Sequence, residues 1–173
     1  MKLHSNSACK AVALTLVATL LTVGCAVPPG QVDPTVLGRA DALVRQSDPS
    51  WLVHATAEPA QVRIGSPITL KASANSNGYL YIFQLSSDGR TLSLLFPNAV
   101  DGANYLPAGA TLQLPRANWR MAARGPAGMG YLMSVVTEQA QDLRALDSAL
   151  AEQRLAITGR YGATLSTVRE VTP

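Results

Sequence analysis

Histidine and cysteine are the first shortage in this sequence: His4, His54, Cys9 and Cys25 are the whole supply in 173 residues. A structural metal site needs about four converging His, Cys or carboxylate ligands, and a disulfide needs two thiols retained in one folded unit. His4 and Cys9 lie in a segment that reads as a removable leader, so neither site can be assembled from what remains. The seven aspartates and four glutamates are scattered singly, with no Asp-x-Asp calcium loop. Charged residues are only 14% of the chain and form no basic run of the kind that tracks a nucleic-acid backbone. Nor is there an apolar run of the roughly 20 residues that a membrane-spanning helix requires.

What is present begins with the N-terminus. Lys2 and Lys10 precede an unbroken run of apolar and hydroxyl residues, 11–23, without an acid. A basic start, a short hydrophobic middle and a small residue before the cut make a signal-peptide pattern. Its end, Leu21-Thr22-Val23-Gly24-Cys25, resembles the lipobox of bacterial lipoproteins, with Thr22 where that family prefers leucine. The resemblance implies cleavage before Cys25, diacylglycerol on its sulfur, and, because Ala26 rather than aspartate follows, export to the outer membrane. An ordinary secreted protein cut nearby, with Cys25 free, is the alternative. Loss of residues 1–24 removes Lys2 and Lys10, leaving 12 bases against 11 acids and a net charge of +1. The basicity of the full chain is therefore no argument for a nucleic-acid partner.

Residues 25–34 contain three prolines and a glycine and read as an anchor followed by a stiff spacer. In residues 35–50, Val36, Leu37, Ala40, Leu43 and Val44 fall on one helical face, behind Asp33 as expected N-cap and Pro34 at the first helical position. Residues 51–173 then form the expected domain. Short apolar runs separated by Glu58-Pro59, Gly65-Ser66-Pro67, Asn75-Ser76-Asn77-Gly78 and Pro107-Ala108-Gly109 read as strands. A helix is expected over 138–155, with Leu143, Leu146 and Leu150 on one face, and a closing strand over 163–171. The predicted fold is mainly β with flanking helices (α+β): an antiparallel immunoglobulin-like β-sandwich, preceded by a short helix and with a helix before its last strand.

The most informative stretch is 78–98. Leu80 and Ile82 alternate with Tyr79, Tyr81 and Phe83, so this strand has no polar side and is expected to be central, its aromatic face covered by the 138–155 helix. Ser87-Asp88-Gly89 supplies the turn, and Pro97 and Asn98 end the return strand. Gly78-Tyr79-Leu80, Asp88-Gly89, Leu95-Phe96-Pro97-Asn98 and Pro107-Ala108-Gly109 together resemble the pattern of the bacterial domain of unknown function 4384 over about residues 60–137. That resemblance implies a small envelope β-sandwich and carries no catalytic residues with it.

Candidate chemistry is thin. His54, on a strand beside Leu52 and Thr56, has no evident nucleophile or acid partner and reads as an ordinary strand histidine. The glycine-rich 125–130 segment lacks the Lys-Ser/Thr ending of a phosphate loop and leads into a strand. Asp88 and Asp101 sit in Asp-Gly turns, where aspartate is a turn former first, although a carboxylate pair acting on wall glycans stays open. The best surface candidate is Arg116, Trp119, Arg120 and Arg124: basic residues four apart around an aromatic anchor, suited to a helical turn or an exposed edge that contacts a partner or an anionic polymer. The resulting expectation is a lipoprotein anchored through Cys25, without cofactor, metal or nucleic-acid ligand. It would serve as a binding or assembly module for an envelope protein partner, with peptidoglycan as a further contact. A wall-directed enzyme or its inhibitor and a small-ligand binding protein are the rival readings.

Overall fold

The computed structural model describes residues 35–173. The expected signal peptide, Cys25 and the expected spacer lie outside the described residues, as do Asp33 and Pro34. The first described element, α1 (Val36–Gln46), is capped by Thr35, whose Oγ1 accepts the Gly38 N–H at 3.0 Å. Thr35, rather than Asp33, is thus the N-cap, because its extended backbone puts a hydroxyl where the first free amides need an acceptor.

Nine strands follow: β1 (Val53–Glu58), β2 (Gln61–Arg63), β3 (Thr69–Ala74), β4 (Gly78–Leu85), β5 (Leu92–Phe96), β6 (Tyr105–Leu106), β7 (Thr111–Leu114), β8 (Gly128–Thr137) and β9 (Tyr161–Val171). The second helix, α2 (Leu143–Ala151), separates β8 from β9. They form a three-stranded sheet in the order β1-β3-β7 and a six-stranded sheet in the order β2-β9-β8-β4-β5, with β6 also paired to β4. The expected mainly-β sandwich with two helices is what the chain adopts. Its pairing is antiparallel apart from β2 and β9, which run parallel, a contact between strands a hundred residues apart that no local pattern announces.

Period-two alternation explains the layers. On β4, Leu80 and Ile82 point to the small sheet and join a core with Leu70, Phe96, Leu114 and Val136. Tyr81, Phe83 and Leu85 point the other way, with Met133 and Val135 of β8, and are covered by Val36, Ala40 and Leu43 of α1 and Leu146 of α2. Both helices, not one, therefore cover the aromatic face. α2 is shorter than the expected 138–155 helix. Asp142 starts it by accepting the Arg144 and Ala145 amides, and the Gln141 N–H is taken by the Tyr81 hydroxyl at 2.7 Å. The chain leaves the helix at Glu152, and Gln153 has a φ of 56°, outside helical geometry.

β4 is interior, as expected, but the middle of the large sheet is β8, between β9 and β4, while β5 is its edge. The link from β4 to β5 spans the residues between Leu85 and Leu92, which pair; Gly89 within it has a φ of +69°, a left-handed conformation that suits glycine. Asn98 closes the far end, accepting the Val100 and Asp101 amides and donating from Nδ2 to the Leu95 carbonyl at 3.0 Å.

Candidate functional site

Residues 115–125 cross from β7 in the small sheet to β8 in the large one and carry all four candidate side chains. The crossing is extended or turned rather than helical, so the helical-turn arrangement of the arginines does not occur. It is tied to the 65–68 turn: Gly65 N–H donates to the Ala123 carbonyl at 2.9 Å, Ile68 N–H to Met121 at 2.9 Å, and Ala123 N–H to Ser66 at 3.0 Å. Met121 and Ala123 are buried by this pairing. In an extended chain residues i and i+4 share a side as surely as in a helix, so Arg120 and Arg124 emerge together, with Ala122 between them.

Arg116 and Trp119 have a different fate. The Arg116 guanidinium forks onto the Asp101 carboxylate, Nε lying 2.8 Å from Oδ2, and it also donates to the Ala103 carbonyl at 2.7 Å. The Trp119 indole N–H donates to the same Oδ2 at 2.8 Å, and Asn118 Nδ2 donates to the Val100 carbonyl. The guanidinium also lies 5.4 Å above the Phe96 ring, within cation–π range. Asp101 is only 6% exposed. The hydrogen bonds from Arg116 hold its carboxyl below the usual range against the cost of burial, with Trp119 adding to the effect, and the same pairing raises the Arg116 pKa. Asp101 is therefore the hub that fastens the 98–104 loop to the crossing, a role beyond turn formation.

Asp88 is engaged separately. Its carboxylate accepts from Ser86 Oγ and from the Arg90 N–H, and these hydrogen bonds lower its pKa. Asp88 and Asp101 are thus held by unrelated sets of donors. His54 is exposed on edge strand β1 opposite Ser73. The glycine-rich 125–130 segment runs into β8, as a turn leading into a strand. Among the described residues no group of three or more His, Cys, Asp or Glu side chains is placed to hold a metal ion. No described helix is long and apolar enough to cross a membrane.

Arg120 and Arg124 are exposed and have no ion pair or hydrogen bond from their side chains among the described residues. They line a cleft of about 230 Å³ with Trp119, Gln84, Leu94 and Asn98. A second cleft of about 130 Å³ shares Gln84 and Arg124 with the first and adds Ser86, Thr91 and Ser93. Gln84 and Ser93 pair across β4 and β5, and neither side chain has a hydrogen-bond partner among the described residues. The combined surface offers two guanidinium forks and several neutral polar groups with no carboxylate among its lining residues, a composition that accepts an anion.

The larger recess, about 440 Å³ beside Gly128, Met129 and Arg169, contains Glu170, whose Oε2 already accepts the Gly125 N–H at 2.5 Å. Its one buried charge is thereby used to hold the loop next to Arg124. The arginine cleft, where two uncommitted cations converge, is the better candidate despite its smaller volume. Sequence reasoning found Arg120 and Arg124 but missed Gln84 and Ser93, which looked like ordinary members of a hairpin. It also missed the pairing of Asp101 with Arg116 and Trp119.

Residues 61–140 match the model of the family described as Domain of unknown function (DUF4384), in agreement with the resemblance carried by the Gly78, Asp88-Gly89 and Pro97-Asn98 motifs. No curated protein matches the chain.

Proposed function

We propose that this chain, which carries the DUF4384 domain over residues 61–140, is a lipid-anchored binding or assembly module of a larger envelope complex, such as a secretion system, facing the periplasm from the outer membrane. The observation that carries the binding role is the cleft with Arg120 and Arg124 on its wall, both exposed and both without a carboxylate partner among the described residues. Unpaired guanidinium groups beside a partly buried tryptophan are a composition common at contact hot spots. Arg116 and Trp119 build that face, while Arg120 and Arg124 would meet the ligand. The role is non-catalytic: Asp88 and Asp101 each have their carboxylates committed to local donors, which suits a scaffold better than an acid–base pair.

The lipobox-like Leu21-Thr22-Val23-Gly24-Cys25 supports the anchor, and the proline-rich 26–34 segment supports a spacer between membrane and domain. The test is crosslinking and capture from the native envelope with three proteins: the full chain, its Cys25→Ser variant, and an Arg120→Glu/Arg124→Glu variant. A stoichiometric partner retained by the first and lost from both others is the expected result. A partner retained equally by the charge-reversed variant would overturn the assignment of the face. Ordinary processing of Cys25→Ser to a soluble product with undiminished partner capture would overturn the anchor.

A further inference from the structure

Resting on that reading of the arginine face, we propose that its ligand is an extended acidic segment of a partner protein, which adds as a strand to the free edge of β5. The large sheet ends at β5, whose outer side has no strand partner among the described residues. Exposed sheet edges are ordinarily blunted by charge, by proline or by being very short. At the other edges of the two sheets, β2 is three residues long and carries Arg63, β1 carries His54 and Glu58, and β7 is uncharged like β5 but is four residues long and has no pair of free arginines beside it. β5, Leu-Ser-Leu-Leu-Phe, has neither charge nor proline over five residues, and Leu92, Leu94 and Leu95 are only partly buried.

The surroundings of this unguarded edge are cationic. The two clefts containing Arg120 and Arg124 are lined in part by β5 residues Ser93, Leu94 and Leu95, and exposed Arg90 stands in the turn before the strand. The nearby acids are withdrawn: Asp101 is buried beneath Arg116, and Asp88 is turned back on Ser86 and the Arg90 amide. Strand addition supplies affinity through main-chain hydrogen bonds and takes its selectivity from the flanking side chains. Here the flanks select acidic residues, and an approaching basic segment is repelled. A lysine-free edge beside free arginines thus discriminates by charge while leaving the β5 backbone available apart from the Leu95 carbonyl, which Asn98 Nδ2 already holds.

The test uses the full chain in detergent micelles and follows amide hydrogen exchange on adding one of three probes. These are an acetylated, amidated octapeptide of alternating threonine and glutamate, its threonine–lysine counterpart, and polygalacturonate. The β5 amides not already held by β4 are expected to exchange fast in the free protein, so a new strand partner is read directly there. The threonine–glutamate peptide is expected to slow exchange within Leu92–Phe96 by about tenfold. The lysine peptide is expected to leave it unchanged, and Arg120→Glu/Arg124→Glu to abolish the effect. Binding of the glutamate peptide without slowing in Leu92–Phe96 would leave the arginine face intact and overturn strand addition. Binding of polygalacturonate alone would make the partner a polysaccharide and overturn the proposal. If no anionic probe bound, both the proposal and the contact-face reading would fall.

Discussion

Asp101 and Arg116 are joined as a forked ion pair under the 98–104 loop, with Nε 2.8 Å from Oδ2 and the carboxylate side chain 5% exposed. Two residues that looked independently functional, one a turn former and one a surface arginine, are the two halves of a single fastening. Removing either half leaves the other charge in poor solvent. Arg116→Ala is expected to destabilise the domain by about 3 kcal/mol, the low end for breaking a buried pair because the arginine is still about a third exposed. Arg116→Lys should recover only part of this, since an ammonium cannot reproduce the fork. Chemical denaturation of the three proteins measures both effects.

The same pair predicts an acid limb. The folded-state pKa of Asp101 is depressed by Arg116 first and Trp119 next, below its ordinary value of 3.8. A depressed carboxylate contributes stability that is fully present above the unfolded-state pKa and is lost as pH falls through the folded one. The domain should therefore lose stability progressively below about pH 4. Asp101→Asn, which puts an amide donor against donors, should be less stable at neutral pH and show a shallower acid dependence. Some slope will persist, because Ser50 and then Arg160 bring half-buried Asp48 down to about 2. Thermal melts from pH 2 to pH 7 are the measurement.

Arg120 and Arg124 should behave oppositely to Arg116. Neither side chain makes a hydrogen bond or ion pair within the described residues, so Arg120→Glu/Arg124→Glu should alter stability by no more than about 0.5 kcal/mol. Its effect should fall on binding to an envelope partner, about tenfold or more, with wild-type affinity itself weakening as salt is raised. Loss of stability comparable to that of Arg116→Ala would mean that these side chains also serve the fold.

The strands, the exposed hairpin turn and the covered aromatic face were legible because each is written in local alternation: Leu80 and Ile82 against Tyr81 and Phe83, then Asp88-Gly89, then Pro97-Asn98. What could not be read locally depends on distant partners. The parallel pairing of Gln61 with Arg169 joins opposite ends of the domain, and the burial of Asp101 depends on Arg116 and Trp119 folding back over it. Helix length was overestimated because apolar spacing cannot register that Gln141 is held by Tyr81 and Thr158 before the first helical residue. The family match from 61 to 140 shows the same limit: it includes β2 and β8 but not β9, which lies between them and pairs with both.

β9 also enters the sheet at a tight point. A Cβ on Gly162 would come within 2.2 Å of the Trp51 carbonyl oxygen, a backbone atom that cannot swing aside. The neighbouring Tyr161 hydroxyl donates to the Leu43 carbonyl at 3.0 Å, joining α1 to the same place. Gly162→Ala must therefore push β1 and β9 apart or displace the start of β9 from α1, and about 3 kcal/mol of destabilisation is expected from overpacking. Tyr161→Phe keeps the volume and removes only the hydrogen bond, costing about 1 kcal/mol. If equilibrium unfolding shows Gly162→Ala to be the milder of the two, Trp51 and Gly162 are not in the close approach described.

The cover over the aromatic face separates two further effects. Leu146 is 3% exposed and is the buried leucine of α2, so Leu146→Ala should open a cavity over Phe83 and Met133 and cost about 2–5 kcal/mol. Tyr81→Phe instead preserves the packing but leaves the Gln141 N–H without its acceptor just before the helix, an unsatisfied part-buried donor worth about 1–3 kcal/mol. The first variant should bind an apolar dye or small aromatic solute at the new cavity; the second should not, and should instead speed amide exchange at Gln141 and in the first turn of α2. If Leu146→Ala unfolds at the parent's denaturant midpoint, α2 does not hold the aromatic face closed. In that case a ligand pocket beneath it becomes the reading to pursue.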